Sequence, residues 1–372
     1  MSPPTSPPGP PRAPRPAPPT DATSGPFADT TSGPFADTTS GPFADTTSGP
    51  FASTAPSPFA NASRTKRWLY ALKPASWPKL LVPALFGQAL GYAEAGRFSP
   101  LGFLFGALYT ACDLVFIVLL NDWGDRDVDA LKRRLFPEGC SPKTIPDGIL
   151  PARQVLAAGL AAGLALLVTA LAAEPWLGRP GLAAASALTL AMFASYTFRP
   201  LALNYRGGGE LLEMAGVGLV LPAVNAYLQS GRAFGPRHLA LLPGFALLAL
   251  ASALASGLSD EVSDRQGGKV TMTTRFGNGA VRGAIEALVA LGALAWAAAI
   301  ASPALPWWAL APALAALAWH ARRLRAASGA AITGAFRAQG VYKAHLHRAI
   351  WQASLWLAAA IAVARAIGAQ KT

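Results

Sequence analysis

The chain has 372 residues, of which 13% are charged and 52% hydrophobic. A soluble domain carries about 25% charged residues, so this composition excludes an ordinary soluble enzyme and points to a polytopic membrane protein. The formal charge of +12 is then expected on cytoplasmic loops, with no nucleic-acid partner. Two cysteines, Cys112 in an apolar run and Cys140 in a polar loop, exclude a disulfide scaffold.

Residues 1–63 hold 16 of the 33 prolines. They repeat Thr-Ser-Gly-Pro-Phe-Ala-Asp-Thr three times from Thr23, followed by a variant unit ending at Thr54. Gly-Pro in every unit leaves neither a helix face nor a strand alternation. The segment cannot bury enough apolar surface to offset the entropy of ordering it, so a disordered tail is expected, with the chemistry elsewhere. No apolar stretch follows Met1, and no signal peptide is expected.

Residues 64–372 are expected to form the membrane domain. Apolar runs near twenty residues long predict an all-α bundle of nine transmembrane helices. They fall at 78–95, 101–121, 154–175, 181–198, 211–229, 239–258, 280–301, 304–320 and 349–368. Pro83, Pro222, Pro243 and Pro312 lie inside these runs, where neighbouring helices satisfy the freed backbone groups. The loops after the second, fourth, sixth and eighth helices hold eighteen Lys and Arg. The other loops hold only Arg97, Arg179, Arg232 and Arg237. That asymmetry predicts a cytoplasmic amino terminus and an external carboxyl terminus, in the plasma (inner) membrane if the source is bacterial.

The second predicted helix ends in Asn121-Asp122-Trp123-Gly124-Asp125-Arg126-Asp127-Val128-Asp129. On one continuous helix Asp122, Asp125 and Asp129 fall within about 60° of one another, and Asp127 points away. Three acids on one face repel each other unless a cation sits among them, and charge at a membrane mouth is expensive. The sixth helix ends in Asp260-Glu261-Val262-Ser263-Asp264, with Asp260 and Asp264 sharing a face. Alone, that pair reads as a solvated helix end. Together the two clusters suit Mg²⁺, which takes hard oxygen ligands and completes its shell with water and substrate phosphate. The four histidines show no zinc spacing. The inference is a magnesium-bound diphosphate at the membrane surface, its organic tail in the bundle. Lys143, Lys269 and Arg265 are candidates to take up phosphate charge.

At these residues the chain resembles the UbiA-type superfamily of intramembrane prenyltransferases. Asn121, Asp122, Asp125 and Asp129 match its first motif, and Asp260 and Asp264 its second. Gly268-Lys269-x-Thr271 and Arg275-Phe276-Gly277 are also similar. The resemblance covers about residues 67–368. It implies Mg²⁺-dependent transfer of a polyprenyl group from its diphosphate to an acceptor, commonly a small aromatic. It makes the five aspartates the metal-binding and catalytic set, and Asn121, Lys143, Lys269, Arg265, Tyr196 and Lys79 substrate-binding candidates. Tyr196-Thr197-x-Arg199-Pro200, Gly207-Gly208-Gly209-Glu210-Leu211 and Tyr227-Leu228-Gln229 resemble the dihydroxynaphthoate polyprenyltransferases of menaquinone synthesis. Ser256-Gly257-Leu258-Ser259-Asp260 departs from that branch, which has Asn and Arg there. Arg126 and Lys143-Thr144-Ile145-Pro146-x-Gly148 are nearer other branches. A non-aromatic acceptor, a transporter and a scaffold stay open at this level. Lys79 also reads as a snorkelling interface lysine. Tyr196, Phe193 and Trp123 read as cation-stabilising faces or as interface packing.

Overall fold

The computed structural model describes residues 59, 61–232, 234–301 and 306–369. The repeats predicted to form a disordered tail lie outside the described residues. Among those described there is no β-strand, only an isolated bridge between Arg206 and Val270, and the fold is all-helical.

The helices are α1 (Arg64–Ala71), α2 (Pro78–Ala95), α3 (Pro100–Gly124), α4 (Arg126–Leu135), α5 (Ala152–Leu177), α6 (Leu182–Thr197) and α7 (Gly209–Ala215). They continue as α8 (Leu221–Ser230), α9 (Pro236–Gly257), α10 (Glu261–Gln266), α11 (Met272–Phe276), α12 (Asn278–Ala298), α13 (Trp307–Ser328) and α14 (Phe336–Ala369). Helix occurs at every predicted position. Among the described residues, six spans are long and apolar enough to cross a membrane, namely α3, α5, α7 through α8, α9, α12 and α14. Leu104, Leu164, Leu188 and Leu294 are each more than 60% exposed, as expected of side chains whose solvent is lipid.

Among the differences from the apolar runs, three have a clear local cause. The predicted helix at 349–368 starts thirteen residues earlier, at Phe336, and is 34 residues long. Its first turns carry Arg337 and Lys343, which a search for apolar runs discards. The acidic stretch after Asn121 is two helices, because α3 stops at Gly124 and α4 starts at Arg126. The i→i+4 bonds persist across the break, from Asp125 N to Asn121 O (2.9 Å) and from Asp129 N to Asp125 O (2.8 Å). The three acids therefore stay close to their expected register. The predicted helix at 211–229 is interrupted by a π turn over Gly216–Val220. Pro222 has no N–H to offer the carbonyl four residues back, and its ring would crowd that carbonyl. The wider turn relieves the conflict, with Leu221 N bonding to Gly216 O.

Two apolar clusters hold the bundle. One joins α2, α9, α12, α13 and α14 around Phe86, Phe245, Trp296 and Tyr342. The other joins α3, α5, α6 and α8 around Tyr109, Leu166 and Leu228. Helices α2 and α8 connect them at close range. A Cβ on Gly87 would stand 2.2 Å from Pro222 O, and one on Gly91 2.6 Å from Ala226 O. Small residues permit such backbone approach in membranes. Gly87→Leu is expected to force the pair apart, at about 1–3 kcal/mol or more. A lower midpoint in a detergent-solubilised thermal melt would show it, and an unchanged midpoint would contradict the packing.

Candidate active site

Helices α3 and α9 end at the same mouth of the bundle and deliver the two acidic motifs. Four connections close over them: the link before α2, the loop between α4 and α5, the segment between α6 and α7, and residues 267–271. Each carries a polar residue inward.

The left-handed residue Lys73 (φ 49) precedes Pro74 and turns the chain into α2. Its Nζ pairs with Asp122 Oδ1. Thr144 Oγ1 donates to Asp122 Oδ2 at 2.5 Å. Thr144 is held in place by its own carbonyl, which accepts Ile149 N and Leu150 N, while Ile145, Ile149 and Leu150 pack with Leu119 and Val155. Lys143 in the same loop pairs with Asp129 at 2.5 Å. The loop is braced by Asp147, which accepts Lys143 N at 2.6 Å and Arg133 Nε at 3.1 Å.

Asp125 accepts Lys269 Nζ at 2.9 Å and Asn204 Nδ2 at 3.2 Å. These donors come from two segments joined edge to edge, where Val270 N bonds Tyr205 O at 3.2 Å. Gly207 and Gly268, both at positive φ, make the turns that L side chains resist. Lys269 also lies over the Tyr205 ring at 5.4 Å. Across the mouth, Lys132 of α4 pairs with Asp260. Lys343 of α14 donates to Ser259 Oγ at 2.6 Å.

The charges are tightly coupled. Burial alone would raise the Asp260 carboxyl, but Lys132, Lys143 and Lys343 outweigh it and hold that group below its ordinary value. Asp264 moves the other way. It is buried, and the neighbouring Asp260 and Asp125 add to the rise despite Lys269. Burial also raises Asp129, partly offset by Lys143. For Lys143 and Lys269 burial disfavours the charge, yet the surrounding aspartates win and both are raised.

The five predicted aspartates are thus brought together with Lys143 and Lys269. Asn121 stands at the end of α3, half-buried. Tyr196, near the end of α6, lies against the start of α7, its ring 3.2 Å from the Cβ position of Gly209, and stacks on Phe193 at 5.5 Å. Two predicted residues are elsewhere. Arg265 turns outward, 58% exposed, and pairs with Glu261 at 3.3 Å. The short helix α10 directs Asp260 and Asp264 inward, so the residue after Asp264 faces away. Lys79 lies deeper, donating to Ser256 Oγ at 2.9 Å and pairing with Glu213 at 3.4 Å. Arg265→Ala is expected to leave prenyl transfer within about twofold, since an exposed ion pair is worth about 0–1 kcal/mol. A tenfold fall in turnover would place it in the site after all.

Lys73, Lys132, Thr144, Asn204 and Lys343 escaped the sequence reading as site residues. Lys73 sits beside Pro74 at a helix start, and Lys132 is three residues beyond Asp129 on the same short helix. Both signals were present but are shared by many surface lysines. Two acids inside predicted helices do not join the site: Asp113 is buried beside Tyr109 and Cys112, and Glu286 pairs with Arg325 at 2.6 Å.

Among the described residues, no three His, Cys, Asp or Glu side chains converge to hold a metal by themselves. Mg²⁺ commonly needs only one or two carboxylates, with water and substrate phosphate as its other ligands. Largely buried hard carboxylates on facing elements fit that requirement.

A model of the UbiA prenyltransferase family matches residues 80–339. The chain is 26% identical over 223 residues to the 1,4-dihydroxy-2-naphthoate octaprenyltransferase of Escherichia coli (strain K12), covering 58% of this chain and 70% of that one. A UbiA homolog from Archaeoglobus fulgidus, bound to DMAPP and Mg²⁺, superposes with a TM-score of 0.58 at 18% identity, over 80% of this chain and 99% of its own. The same protein bound to GPP and Mg²⁺ gives 0.57 at 16% identity, over 78% and 99%. A structure of digeranylgeranylglyceryl phosphate synthase gives 0.52 at 12% identity, over 80% and 99%. At these identities the structural likenesses show the fold alone.

Proposed function

Since the chain belongs to the UbiA prenyltransferase family, we propose that it transfers a polyprenyl group from its diphosphate to a small aromatic acceptor, with Mg²⁺, at the mouth where its acidic motifs meet. It is an integral membrane prenyltransferase. The observation that carries the finer reading is the joining of the two motifs: Lys132 of α4 pairs with Asp260, and Lys269 beyond α10 pairs with Asp125. Each motif thus holds a lysine contributed from the other's side.

Carboxylates drawn from Asp122, Asp125, Asp129, Asp260 and Asp264, one or two to an ion, would hold the metal, which when bound would supply charge stabilisation to the departing diphosphate. The chain's own lysines do the rest of the electrostatic work. Lys73, Lys132, Lys143 and Lys269 neutralise the acids in the free protein. With diphosphate present they can turn to its oxygens, acting as point charges on flexible stems. Tyr196 and Phe193 offer ring faces to an allylic carbon that gains positive character. Apolar walls keep water from that carbon.

The membrane reading extends to nine spans, with α2, α6 and α13 crossing beside the six longer helices. The basic excess supports placing the amino terminus and this mouth in the cytoplasm and the carboxyl terminus outside. The Escherichia coli relative and the branch-like residues around Tyr196 and Gly207 support an aromatic, naphthoate-like acceptor for quinone-lipid synthesis. The test is incubation of membranes containing the protein with labelled geranylgeranyl diphosphate and dihydroxynaphthoate, hydroxybenzoate, homogentisate or heme, products being identified by mass. A prenylated aromatic with released diphosphate is expected. Absence of product with every aromatic acceptor would overturn the reading.

A further inference from the structure

The hairpin of α13 and α14 carries basic charge that the acidic mouth does not absorb. No Asp or Glu follows Glu286, yet the rest of the chain holds eight Lys and Arg, so this charge meets no carboxylate of its own segment. Arg325 reaches back to Glu286 at 2.6 Å, and Lys343 turns toward Ser259 in the mouth. Arg323 and Arg348 do neither. Both are exposed, and among the described residues neither pairs with a carboxylate.

The packing of the hairpin brings these two arginines to one place. His320 of α13 bonds Gln352 of α14 at 2.8 Å and lies 6.4 Å, ring to ring, from His345. Arg348 falls between those two partners in sequence, so it stands level with His320. The helices run in opposite directions, and Arg323, nearly one turn beyond His320, stands level with His345. The two guanidinium groups therefore flank one point on the seam, and both bear on His345.

That point lies at the membrane surface. Helix α14 has 34 residues and is about 51 Å long at 1.5 Å per residue, against about 30 Å of hydrocarbon. Its apolar run at 349–368 accounts for the hydrocarbon depth, which leaves Arg348 at the boundary and the earlier turns outside it. The acidic mouth opens at the same end, because Lys343 reaches Ser259 from those turns. Trp319 is 56% exposed, at the level where aromatic belts form, and Arg323 Cζ lies 4.6 Å over its ring. A guanidinium stacked by its face keeps its N–H edge for a bidentate phosphate. Leu355, two turns beyond Arg348 on the same face, is also exposed and offers an apolar wall.

We propose that this seam binds an anionic phospholipid of the leaflet at the mouth, its phosphate between Arg323 and Arg348 and an acyl chain along Leu355. The apolar wall and the exposed Trp319 select a lipid over free phosphate. The inference rests on the membrane placement of α13 and α14, not on the acceptor or on the prenyl-transfer chemistry.

The test uses the purified full chain in detergent, titrated with phosphatidylglycerol or phosphatidylcholine, with retained lipid counted by native mass spectrometry and a thermal melt alongside. The wild type is expected to retain phosphatidylglycerol in preference. A basic residue near anionic lipid contributes about fivefold in affinity. Arg348→Gln should therefore weaken phosphatidylglycerol binding about fivefold, and Arg323→Gln with Arg348→Gln about 25-fold, with phosphatidylcholine binding unchanged. Arg323→Lys with Arg348→Lys keeps the charge without the fork and should recover part of the loss. Arg337→Gln, an exposed arginine at the same end, should stay within twofold. Equal retention of the two lipids by the wild type would overturn the proposal. So would undiminished phosphatidylglycerol binding in the Gln variants, a matching loss in Arg337→Gln, or a thermal shift with inorganic phosphate equal to that with phosphatidylglycerol.

Discussion

Asp122→Ala and Asp260→Ala are each expected to reduce prenyl transfer at least about 100-fold, in the range seen when a group stabilising transition-state charge is removed. The expectation rests on what each carboxylate does in the mouth. Asp122 is almost fully buried and is met by both Lys73 and Thr144. Asp260 sits among Lys132, Lys143 and Lys343. Either substitution removes a hard carboxylate oxygen from the mouth and strands a buried donor, Thr144 beside Asp122 or Lys132 beside Asp260. The loss is expected in kcat, because the charge that matters most develops as the C–O bond breaks. A paired thermal melt separates catalysis from folding, and full turnover in either variant would remove the motifs from the chemistry.

Lys269→Met should produce the second-largest effect. Lys269 bonds Asp125 and lies within the fields of Asp264 and Asp260, so it is shared between the motifs. A charge-assisted hydrogen bond is worth about 1.5–3 kcal/mol, which corresponds to a loss of about tenfold to more than 100-fold in geranylgeranyl diphosphate affinity. Titration of the labelled diphosphate should show it as a raised KM. Lys269→Arg should restore less than a conservative exchange implies, because the planar guanidinium cannot follow the compact ammonium between Asp125 and the Tyr205 ring. Equal affinity in wild type and Lys269→Met would mean that Lys269 only neutralises Asp125.

The parts that were legible in the sequence share a physical cause. Membrane helices announce themselves by length and apolarity, because the hydrocarbon requires both. The aspartates stood out because charge is rare in such a chain and was placed at two helix ends. What escaped the sequence lies where those rules lapse. The first turns of α14 are polar, so the run was cut short and Lys343 was lost with it. Lys73 and Lys132 are ordinary basic residues until the link before α2 and the short helix α4 fold back over the acids. Arg265 was drawn in by its neighbour Asp264, yet one residue along a helix is a turn of about 100°, enough to point it outward. Glu213 and Lys79 are 134 positions apart, and only the packing of α2 on the π turn makes them neighbours.

The arrangement also separates this chain from a transporter. Transporters place their ionisable groups near the bilayer midplane at a repeat interface, whereas here the acids and lysines gather at helix ends on one side.

On the proposed function, the two acidic motifs act as one magnesium-dependent diphosphate site. Equilibrium binding of an unreactive geranylgeranyl thiolodiphosphate to the purified protein tests it most directly, with and without Mg²⁺, in wild type, Asp122→Ala and Asp260→Ala. Tight binding is expected only in the wild type with Mg²⁺, with comparable losses on removing either aspartate or the metal. Binding that persists in EDTA, or that survives loss of either motif, would contradict it.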